Sequence, residues 1–177
     1  MNKIKKILSV INRKMIFMLD GINNHLYTDK YYTFLKRQGV TFTGRPNYIS
    51  SKAYLDGEGL KIITIGQDVV ISRNVTLLTH DYSPETALHS IGKGTSDRRL
   101  HINKKIIIGN NSFIGANATL LPGTVVGNNC IVGACCVVKG TIPDNSIVIG
   151  NPAKIIERTD QLAHKYEKNI SQLIEYR

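Results

Sequence analysis

A six-residue repeat of aliphatic side chains is the feature of this sequence that most restricts its fold. Every sixth position from 108 to 138 is aliphatic, and the position four residues after each is small in all repeats but the last. The aliphatic column is Ile108, Ile114, Leu120, Val126, Val132 and Val138, and the second column is Ser112, Ala118, Thr124, Cys130, Cys136 and the larger Ile142. A period of six is neither that of a helix nor simply that of a strand, and it is typical of a parallel β-helix, in which each coil packs on the next. We therefore predict a mainly β solenoid.

The repeat extends towards the N-terminus but is interrupted once. Ile65, Ile71 and Leu77 keep the six-residue spacing, whereas the 31 residues from Leu77 to Ile108 are not a multiple of six. This break predicts a loop inserted at about 81–105, rich in Ser, Thr, Gly, His and charged residues. A loop of this length inside a compact solenoid is often functional. We assign residues 39–157, including the insertion, to the β-helix domain.

Both ends of the chain are predicted to be helical. Residues 1–38 indicate one or two helices broken near Asp20 and Gly21, and residues 158–177 indicate a C-terminal helix with Thr159 as a candidate cap. The C-terminal helix has apolar residues on one side and is expected to cover the open end of the solenoid, as terminal caps do. These residues are Leu162, Tyr166, Ile170 and Leu173 or Ile174.

The N-terminal segment is both apolar and basic. Apolar residues at positions 4, 7, 8, 11, 15 and 18 predict an amphipathic helix with a basic face, and no uninterrupted run has the length of a signal-peptide core or a membrane span. Such helices mostly pack on their own protein, with a membrane surface as the alternative partner. Residues 1–40 carry +6 of the formal net charge of +10, which suits phosphate-bearing cofactors, acidic glycans or anionic membranes. Without Trp or a recognisable binding motif, nucleic acid is not an expected partner.

The three cysteines, Cys130, Cys135 and Cys136, all lie inside the repeat. Two of them occupy the column of small residues, where a thiol packs as a small apolar group. An odd number of clustered cysteines argues against a disulfide framework and agrees with a reducing compartment. We therefore expect a cytoplasmic protein.

Several motifs between Ile65 and Ile156 resemble those of the hexapeptide-repeat acyltransferases, which have a left-handed β-helix fold. The similarity is greatest to sugar O-acetyltransferases of the maltose/galactoside and polysaccharide-modifying kind. It implies a left-handed coil and a homotrimer with active sites between subunits. The motifs are Ile65-Gly66-Gln67-Asp68-Val69-Val70-Ile71, Asn74-Val75-Thr76-Leu77 with His80-Asp81, Ile107-Ile108-Gly109-Asn110-Asn111-Ser112-Phe113-Ile114-Gly115, Leu121-Pro122-Gly123-Thr124 and Gly150-Asn151-Pro152-Ala153-Lys154.

His80 stands where the insertion begins, at the place where this family has its catalytic histidine. Acetyl transfer to a sugar hydroxyl needs a base, because the hydroxyl attacks a thioester poorly unless its proton is removed as the bond forms. Imidazole can take that proton and return it to the departing thiolate. Asp81 is a second catalytic candidate, which either orients the imidazole or begins the turn.

The resemblance also implies acetyl-CoA as co-substrate. In the family the pantetheine arm lies along main-chain groups of the later coils, which correspond here to Gly115-Ala116 and Gly133-Ala134, where small side chains let a ligand approach the backbone. Lys139 and Lys154 match basic positions that bind phosphates. The chain departs from the family at Glu157, where relatives often carry Arg.

The resemblance therefore implies transfer of acetyl to a hydroxyl of a sugar, in a capsule, O-antigen or exopolysaccharide or its precursor. Three alternatives stay open. The first is an N-acetyltransferase acting on an amino-sugar nucleotide, and the second is a non-catalytic β-helix that only binds. The third is a metal-dependent carbonic anhydrase using His80 with His89 and His101, whose spacing does not match that family, so no metal site is predicted.

Overall fold

A computed structural model describes residues 3–56, 59–95, 100–170 and 173 of the chain. Its body is a stack of coils whose short strands form three parallel sheets; the first four coils contribute one strand to each sheet, and the fifth contributes to the first two sheets. The coils cover residues 41–55, 63–77, 106–120, 125–138 and 141–149, and we number them one to five. This is the parallel β-helix that the six-residue period predicts.

The strands are two to five residues long, and all but three pair in parallel. The first sheet contains β1 (Thr41–Phe42), β4 (Ile63–Ile65), β9 (Ile106–Ile108), β12 (Val125–Val126) and β15 (Thr141–Ile142). The second contains β2 (Tyr48–Ile49), β5 (Val70–Ile71), β10 (Phe113–Ile114), β13 (Ile131–Val132), β16 (Ser146–Ile149) and the antiparallel β17 (Lys154–Arg158). The third contains β3 (Tyr54–Leu55), β6 (Thr76–Leu77), β11 (Thr119–Leu120) and β14 (Val137–Val138). The antiparallel pair β7 (His80–Asp81) and β8 (Ile102–Asn103) stands apart from these sheets.

The aliphatic column forms the core because strand register stacks its members on one another. Leu120 pairs with Leu77 on one side and Val138 on the other, and all three side chains are fully buried. The second column fills the corners of the triangle, where Ser112, Ala118, Thr124, Cys130 and Cys136 are also buried. Burial raises the pKa of the Cys130 thiol, so this cysteine stays an uncharged packing group.

The turns between strands form three corners, which we name by their content. The asparagine corner contains residues 66–69, 109–112, 127–130 and 143–145, and the alanine corner contains residues 72–75, 115–118 and 133–136. The insertion corner contains, of the described residues, 56, 59–62, 78–95, 100–105, 121–124 and 139–140. Each kind of turn therefore lies along one edge of the solenoid, and the long insertion leaves the solenoid at the insertion corner.

A ladder of side-chain amides stabilises the asparagine corner. Asn111 Nδ2 donates to Asn129 Oδ1, and Asn129 Nδ2 donates to Asn145 Oδ1, each at 2.9 Å. All three residues have a left-handed backbone, with φ between 52° and 60°. Asn tolerates this conformation better than other residues with a Cβ, because its short amide hydrogen-bonds locally.

Replacing Asn129 separates two effects on the stability of the fold: the loss of the ladder's hydrogen bonds and the strain of placing another residue in the left-handed conformation. We expect Asn129→Ala to lower the free energy of unfolding by about 2 kcal/mol, because it removes two hydrogen bonds and leaves Ala in the left-handed region. The matched variant Asn129→Gly loses the same bonds without the backbone strain and should be about 1 kcal/mol less destabilised. Urea unfolding of both variants measures the difference, and equal destabilisation would show that strain contributes nothing.

Two N-terminal helices lie against the first coil. They are α1 (Lys3–Phe17) and α2 (Asn24–Gln38), and α2 is capped by the Asn23 side chain, which accepts from Leu26 N, and by Gly39 at φ 111°. Asp20, in the turn between the helices, accepts hydrogen bonds from the Tyr48 and Ser51 hydroxyls. Tyr27 of α2 is fully buried and donates to Ile49 O at 2.7 Å. These contacts fix the helical pair on the second sheet, and on the turn that follows β2, at the start of the solenoid.

α1 packs on the rest of the chain, but not by the apolar residues at positions 7, 8, 11 and 15. The helix contacts the rest of the chain through Ile16 and Phe17, whereas Ile7, Leu8, Ile11 and Met15 are exposed. Within the described residues, no helix combines the length and apolarity that crossing a bilayer requires.

The C-terminal helix α4 (Thr159–Glu167) is shorter than residues 158–177 suggested, and part of that prediction (residues 171–172 and 174–177) lies outside the described residues. Thr159 is the first helical residue rather than the cap, because Arg158 occupies the cap position without a side-chain hydrogen bond. No residue from Thr159 to Glu167 is buried, so within one chain α4 covers little of the end of the solenoid. The last coil is followed instead by β17, which pairs antiparallel with β16.

Candidate active site

The insertion corner presents His80 at the point where the chain leaves the second coil. β6 ends at Leu77, and the chain turns outward into β7, which pairs with β8 so that His80 lies opposite Asn103. Lys104 N donates to Thr79 O at 2.8 Å and closes the base of this hairpin. The inserted segment is therefore held at its base by a hydrogen bond, and its first strand carries His80, the predicted general base.

Asp56, immediately after β3 in the first coil, is the carboxylate bound to His80. Its Oδ2 lies 2.5 Å from His80 Nδ1, and Asp56 is 1% exposed. The same oxygen accepts hydrogen bonds from Thr79 Oγ1 at 2.5 Å and Thr79 N at 3.2 Å. Because Leu55 and Leu77 are register partners, Asp56 and Thr79 follow neighbouring strands and the carboxylate is held from two coils.

This contact decides what the imidazole can do. A carboxylate oxygen accepts, so the Nδ1–H of His80 donates to Asp56 and the lone pair of a neutral ring is on Nε2. The His80 side chain is 27% exposed, so the ring is fixed at one nitrogen without being closed off from solvent. A histidine held by a buried carboxylate at one nitrogen and free to act at the other is the arrangement of a general base.

Two further rings surround His80 inside the insertion. The Tyr82 ring packs edge-on against His80 with centroids 5.3 Å apart, and the His101 ring lies 5.0 Å from Tyr82 and 6.5 Å from His80. His101 adjoins β8, so the pairing of β7 with β8 brings it beside the candidate base. These rings form one wall next to His80.

Asp81 contacts Ser83 rather than the imidazole. Its carboxylate accepts from Ser83 N at 2.8 Å and Ser83 Oγ at 2.9 Å, which makes Asp81 the residue that begins the turn into α3 (Ser83–His89). The backbone hydrogen bond from Ser83 is the largest cause that lowers the pKa of Asp81, and the positive charge of Lys139 also lowers it. Of the two roles considered for Asp81, the geometry favours the turn.

Glu85 in α3 accepts hydrogen bonds from two points of the inserted loop, at Thr95 and Leu100, and we call this arrangement the Glu85 clamp. One carboxylate oxygen accepts from Thr95 N at 2.9 Å and lies 3.0 Å from His89 Nε2, while the other accepts from Leu100 N at 2.9 Å. His89 is thus directed to Glu85 and not towards His80. Among residues 3–56, 59–95, 100–170 and 173, no three His, Cys, Asp or Glu side chains are grouped as metal ligands would be.

The Glu85 clamp gives the insertion a defined pH dependence. Backbone hydrogen bonds from Leu100 and then Thr95 lower the pKa of Glu85 below its ordinary value of 4.5. A lowered pKa in the folded state means that the clamp contributes fully above pH 4.5 and is lost as the pH falls below that value. We expect Glu85→Gln to speed amide exchange at Thr95 and Leu100 by about tenfold at neutral pH, because an amide cannot accept at both ends.

Hydrogen exchange read by mass spectrometry over residues 90–100 checks this prediction. Glu167→Gln is the control, since the Glu167 side chain is 77% exposed and lies 3.4 Å from His164 on α4, away from the inserted loop. Unchanged protection in Glu85→Gln would mean that the carboxylate does not order the loop.

The packing of neighbouring coils also explains the glycines predicted to lie beside the cofactor, Gly115 and Gly133. A Cβ on Gly115 would lie 2.6 Å from Ala134 N, and a Cβ on Gly133 would lie 2.9 Å from Ile149 Cγ2. Stacking of coils therefore requires glycine at position 115, where the near atom is backbone, and favours it at position 133, where the near atom belongs to a side chain, whether or not a ligand approaches. Ala116 and Ala134 follow them on the alanine corner, and the more exposed of the two is Ala134.

Within one chain the predicted cofactor residues lie on different parts of the solenoid. Lys139 is at the insertion corner with His80, whereas the two Gly-Ala pairs are at the alanine corner, across the third sheet. Lys154 is exposed on β17, beside the second sheet. Ala116 also lines a cavity of about 670 Å³ with Asp20, Tyr48, Ser51 and Arg73, among others.

Sequence reasoning missed Asp56. The six-residue columns begin at Ile65, and the step from the first to the second coil is lengthened by the segment containing a 3-10 turn at Leu60–Ile62. Aligning Ala53-Tyr54-Leu55 with Val75-Thr76-Leu77 would have placed Asp56 beside the residues that lead to His80.

Comparison with known proteins agrees with this architecture. Residues 105–140 match the family model described as bacterial transferase hexapeptide (six repeats). The putative lipopolysaccharide biosynthesis O-acetyl transferase WbbJ of Escherichia coli K12 is 34% identical over 119 residues, covering 65% of this chain and 60% of that protein. The galactoside O-acetyltransferase of the same organism is 34% identical over 108 residues, covering 60% of this chain and 50% of that protein.

A solved structure of galactoside acetyltransferase in complex with coenzyme A has the same fold. Its TM-score is 0.58 at 20% identity, over 88% of this chain and 83% of that chain. The predicted resemblance to hexapeptide-repeat acyltransferases and the predicted left-handed β-helix fold are thereby confirmed. The chain spans 60% and 50% of the two curated relatives named above.

Proposed function

We propose that the protein is an acetyl-CoA-dependent O-acetyltransferase that acts on a sugar hydroxyl of a cell-envelope polysaccharide or its precursor. The observation that carries the proposal is the His80–Asp56 pair, with Nδ1 bound 2.5 Å from a buried carboxylate at the start of the insertion. The relatives named as O-acetyltransferases support the reaction, and the one named for lipopolysaccharide biosynthesis supports the class of acceptor.

The proposed reaction is a direct transfer. His80 Nε2 removes the proton from the acceptor hydroxyl as its oxygen attacks the thioester carbonyl, and a backbone amide stabilises the oxyanion that forms. The tetrahedral intermediate collapses, the carbon–sulfur bond breaks, and the imidazolium returns the proton to the departing thiolate of CoA. Asp56 keeps Nδ1 protonated and stabilises the transient imidazolium.

The residues proposed to bind acetyl-CoA need two copies of the chain. The Gly-Ala pairs of the alanine corner and His80 of the insertion corner stand at different edges of one solenoid. A homotrimer that sets the alanine corner of one subunit against the insertion corner of the next would complete each site between subunits. Lys139 and Lys154 are the proposed phosphate contacts. A reaction that consumes acetyl-CoA is proposed to take place in the cytoplasm.

A screen of glycans and nucleotide sugars tests the proposal. The purified protein is incubated with acetyl-CoA and each acceptor, and release of the CoA thiol is recorded together with the mass of the product. We expect thiol release that depends on a sugar hydroxyl and a product heavier by one acetyl group. Transfer only to amines would support the N-acetyltransferase alternative, and no acceptor-dependent release across the panel would contradict an acetyltransferase.

A further inference from the structure

The apolar side of α1 is exposed rather than packed against the rest of the chain. Along the helix and the turn after it, one stripe of side chains is exposed at helical spacing: Ile7 (59%), Leu8 (58%), Ile11 (49%), Met15 (63%) and Met18 (72%). We call these five residues the apolar stripe. The opposite side of the helix carries the contacts with α2, through Ser9, which accepts from Gln38, and through Ile16 and Phe17. Exposure of five large apolar side chains on one helix marks an interaction surface.

The charge around the stripe indicates what covers it. α1 contains Lys3, Lys5, Lys6, Arg13 and Lys14 and no Asp or Glu. Lys14 lies three residues after Ile11 and four before Met18, so it borders the stripe on the helix surface. The acidic residues of the helical segment are engaged elsewhere, Asp20 with Tyr48 and Ser51, and Asp29 with Arg45 at 2.7 Å.

We propose that α1 docks this protein on an anionic phospholipid surface, with the apolar stripe in the boundary between head groups and acyl chains. Large apolar residues beside lysines and arginines are the pattern of helices that lie in a membrane interface. Lipid phosphates attract the cations, and the helix lies parallel to the surface. A second copy of α1 is the poorer partner, because both helices carry a net positive charge and no acidic residue. This inference does not depend on the proposed acetyl transfer.

Sedimentation with vesicles tests the docking. The full chain is mixed with vesicles of phosphatidylcholine containing about one-third phosphatidylglycerol, or of phosphatidylcholine alone. We expect binding to the anionic vesicles, about tenfold weaker binding to the neutral ones, and loss of most binding in about 1 M salt. The double variant Ile11→Ser with Met15→Ser should bind anionic vesicles about tenfold less tightly.

Two controls keep the result specific. Ile170→Ser with Leu173→Ser makes the same change at two exposed apolar residues near the C-terminus and should bind as the unchanged protein does. Lys14→Glu leaves the stripe intact and should weaken binding to anionic vesicles only. Circular dichroism of each variant checks that it is folded.

Two results would overturn the proposal. One is a vesicle result: the unchanged protein does not bind anionic vesicles, or the stripe variant binds them as tightly as the unchanged protein does. The other is a fall in the mass of the assembly, measured by sedimentation equilibrium, in the stripe variant alone, which would make a second copy the occupant of the stripe.

Discussion

Asp56→Asn is expected to lower the turnover number for acetyl transfer by about 10²- to 10⁴-fold while leaving the chain folded. Thr79 and His80 both contact Oδ2 of Asp56, so the amide oxygen of Asn can take that place and accept from both, but the negative charge is lost. A neutral amide no longer stabilises the imidazolium that forms when Nε2 takes the proton of the acceptor hydroxyl, and an amide nitrogen in the place of Oδ2 would face the Thr79 donors and leave Nδ1 to accept, with the ring proton on Nε2. The variant changes one functional group without changing the size of a side chain that is 1% exposed.

Comparison with Asp81→Asn makes this test specific. Asp81 lies next to His80 in sequence but accepts from Ser83, so its variant should keep its turnover number within about twofold of the unchanged protein. The Michaelis constant for acetyl-CoA should stay the same in Asp56→Asn, since Asp56 acts through His80. ¹⁵N chemical shifts of the His80 ring report its tautomer directly. A large loss in Asp81→Asn with none in Asp56→Asn would reverse the assignment.

His80→Ala is expected to lower the turnover number by about 10²- to 10⁴-fold, which is the range that general base catalysis supplies. The acceptor hydroxyl then has no group to take its proton as the carbon–oxygen bond forms, and the CoA thiolate has no proton donor. Acetyl-CoA should still bind, because its proposed contacts, Lys139, Lys154 and the Gly-Ala pairs, are unchanged.

A matched control for His80→Ala is His164→Ala, in which a histidine side chain 76% exposed on α4 is removed. Its turnover number should equal that of the unchanged protein. Acetyl transfer by His80→Ala at the unchanged rate would remove the base from the account and leave only a binding role for the site.

The regular part of the fold follows from the sequence because one repeated interaction determines it. Ile114 and Val132 are register partners with the same surroundings, so the six-residue column predicts both the strands and their stacking. The place of His80 at the start of the insertion is visible in the sequence because the period fails there, whereas its role as a base is implied by the resemblance and stays a prediction. The corner glycines are also periodic, although coil stacking at Gly109 and Gly115 is sufficient to explain them without a ligand.

Asp56 and the packing of α1 could not be predicted in this way. The carboxylate reaches His80 only because β3 pairs with β6, and the first coils do not keep the six-residue period that would reveal this register. The spacing of Ile7, Ile11 and Met15 predicts an amphipathic helix, but spacing says nothing about what the apolar face contacts. The packing of α1 is instead determined by Ile16 and Phe17, which occupy the other side.

The central claim is that Asp56 and His80 act as one unit, and the double variant Asp56→Asn with His80→Ala tests it most directly. Residues that act through each other are not additive. The turnover number of the double variant, measured as thiol release with the best acceptor, should therefore match that of His80→Ala within about twofold. If the loss in the double variant is instead the product of the two single losses, Asp56 contributes independently of His80 and the account of this site is contradicted.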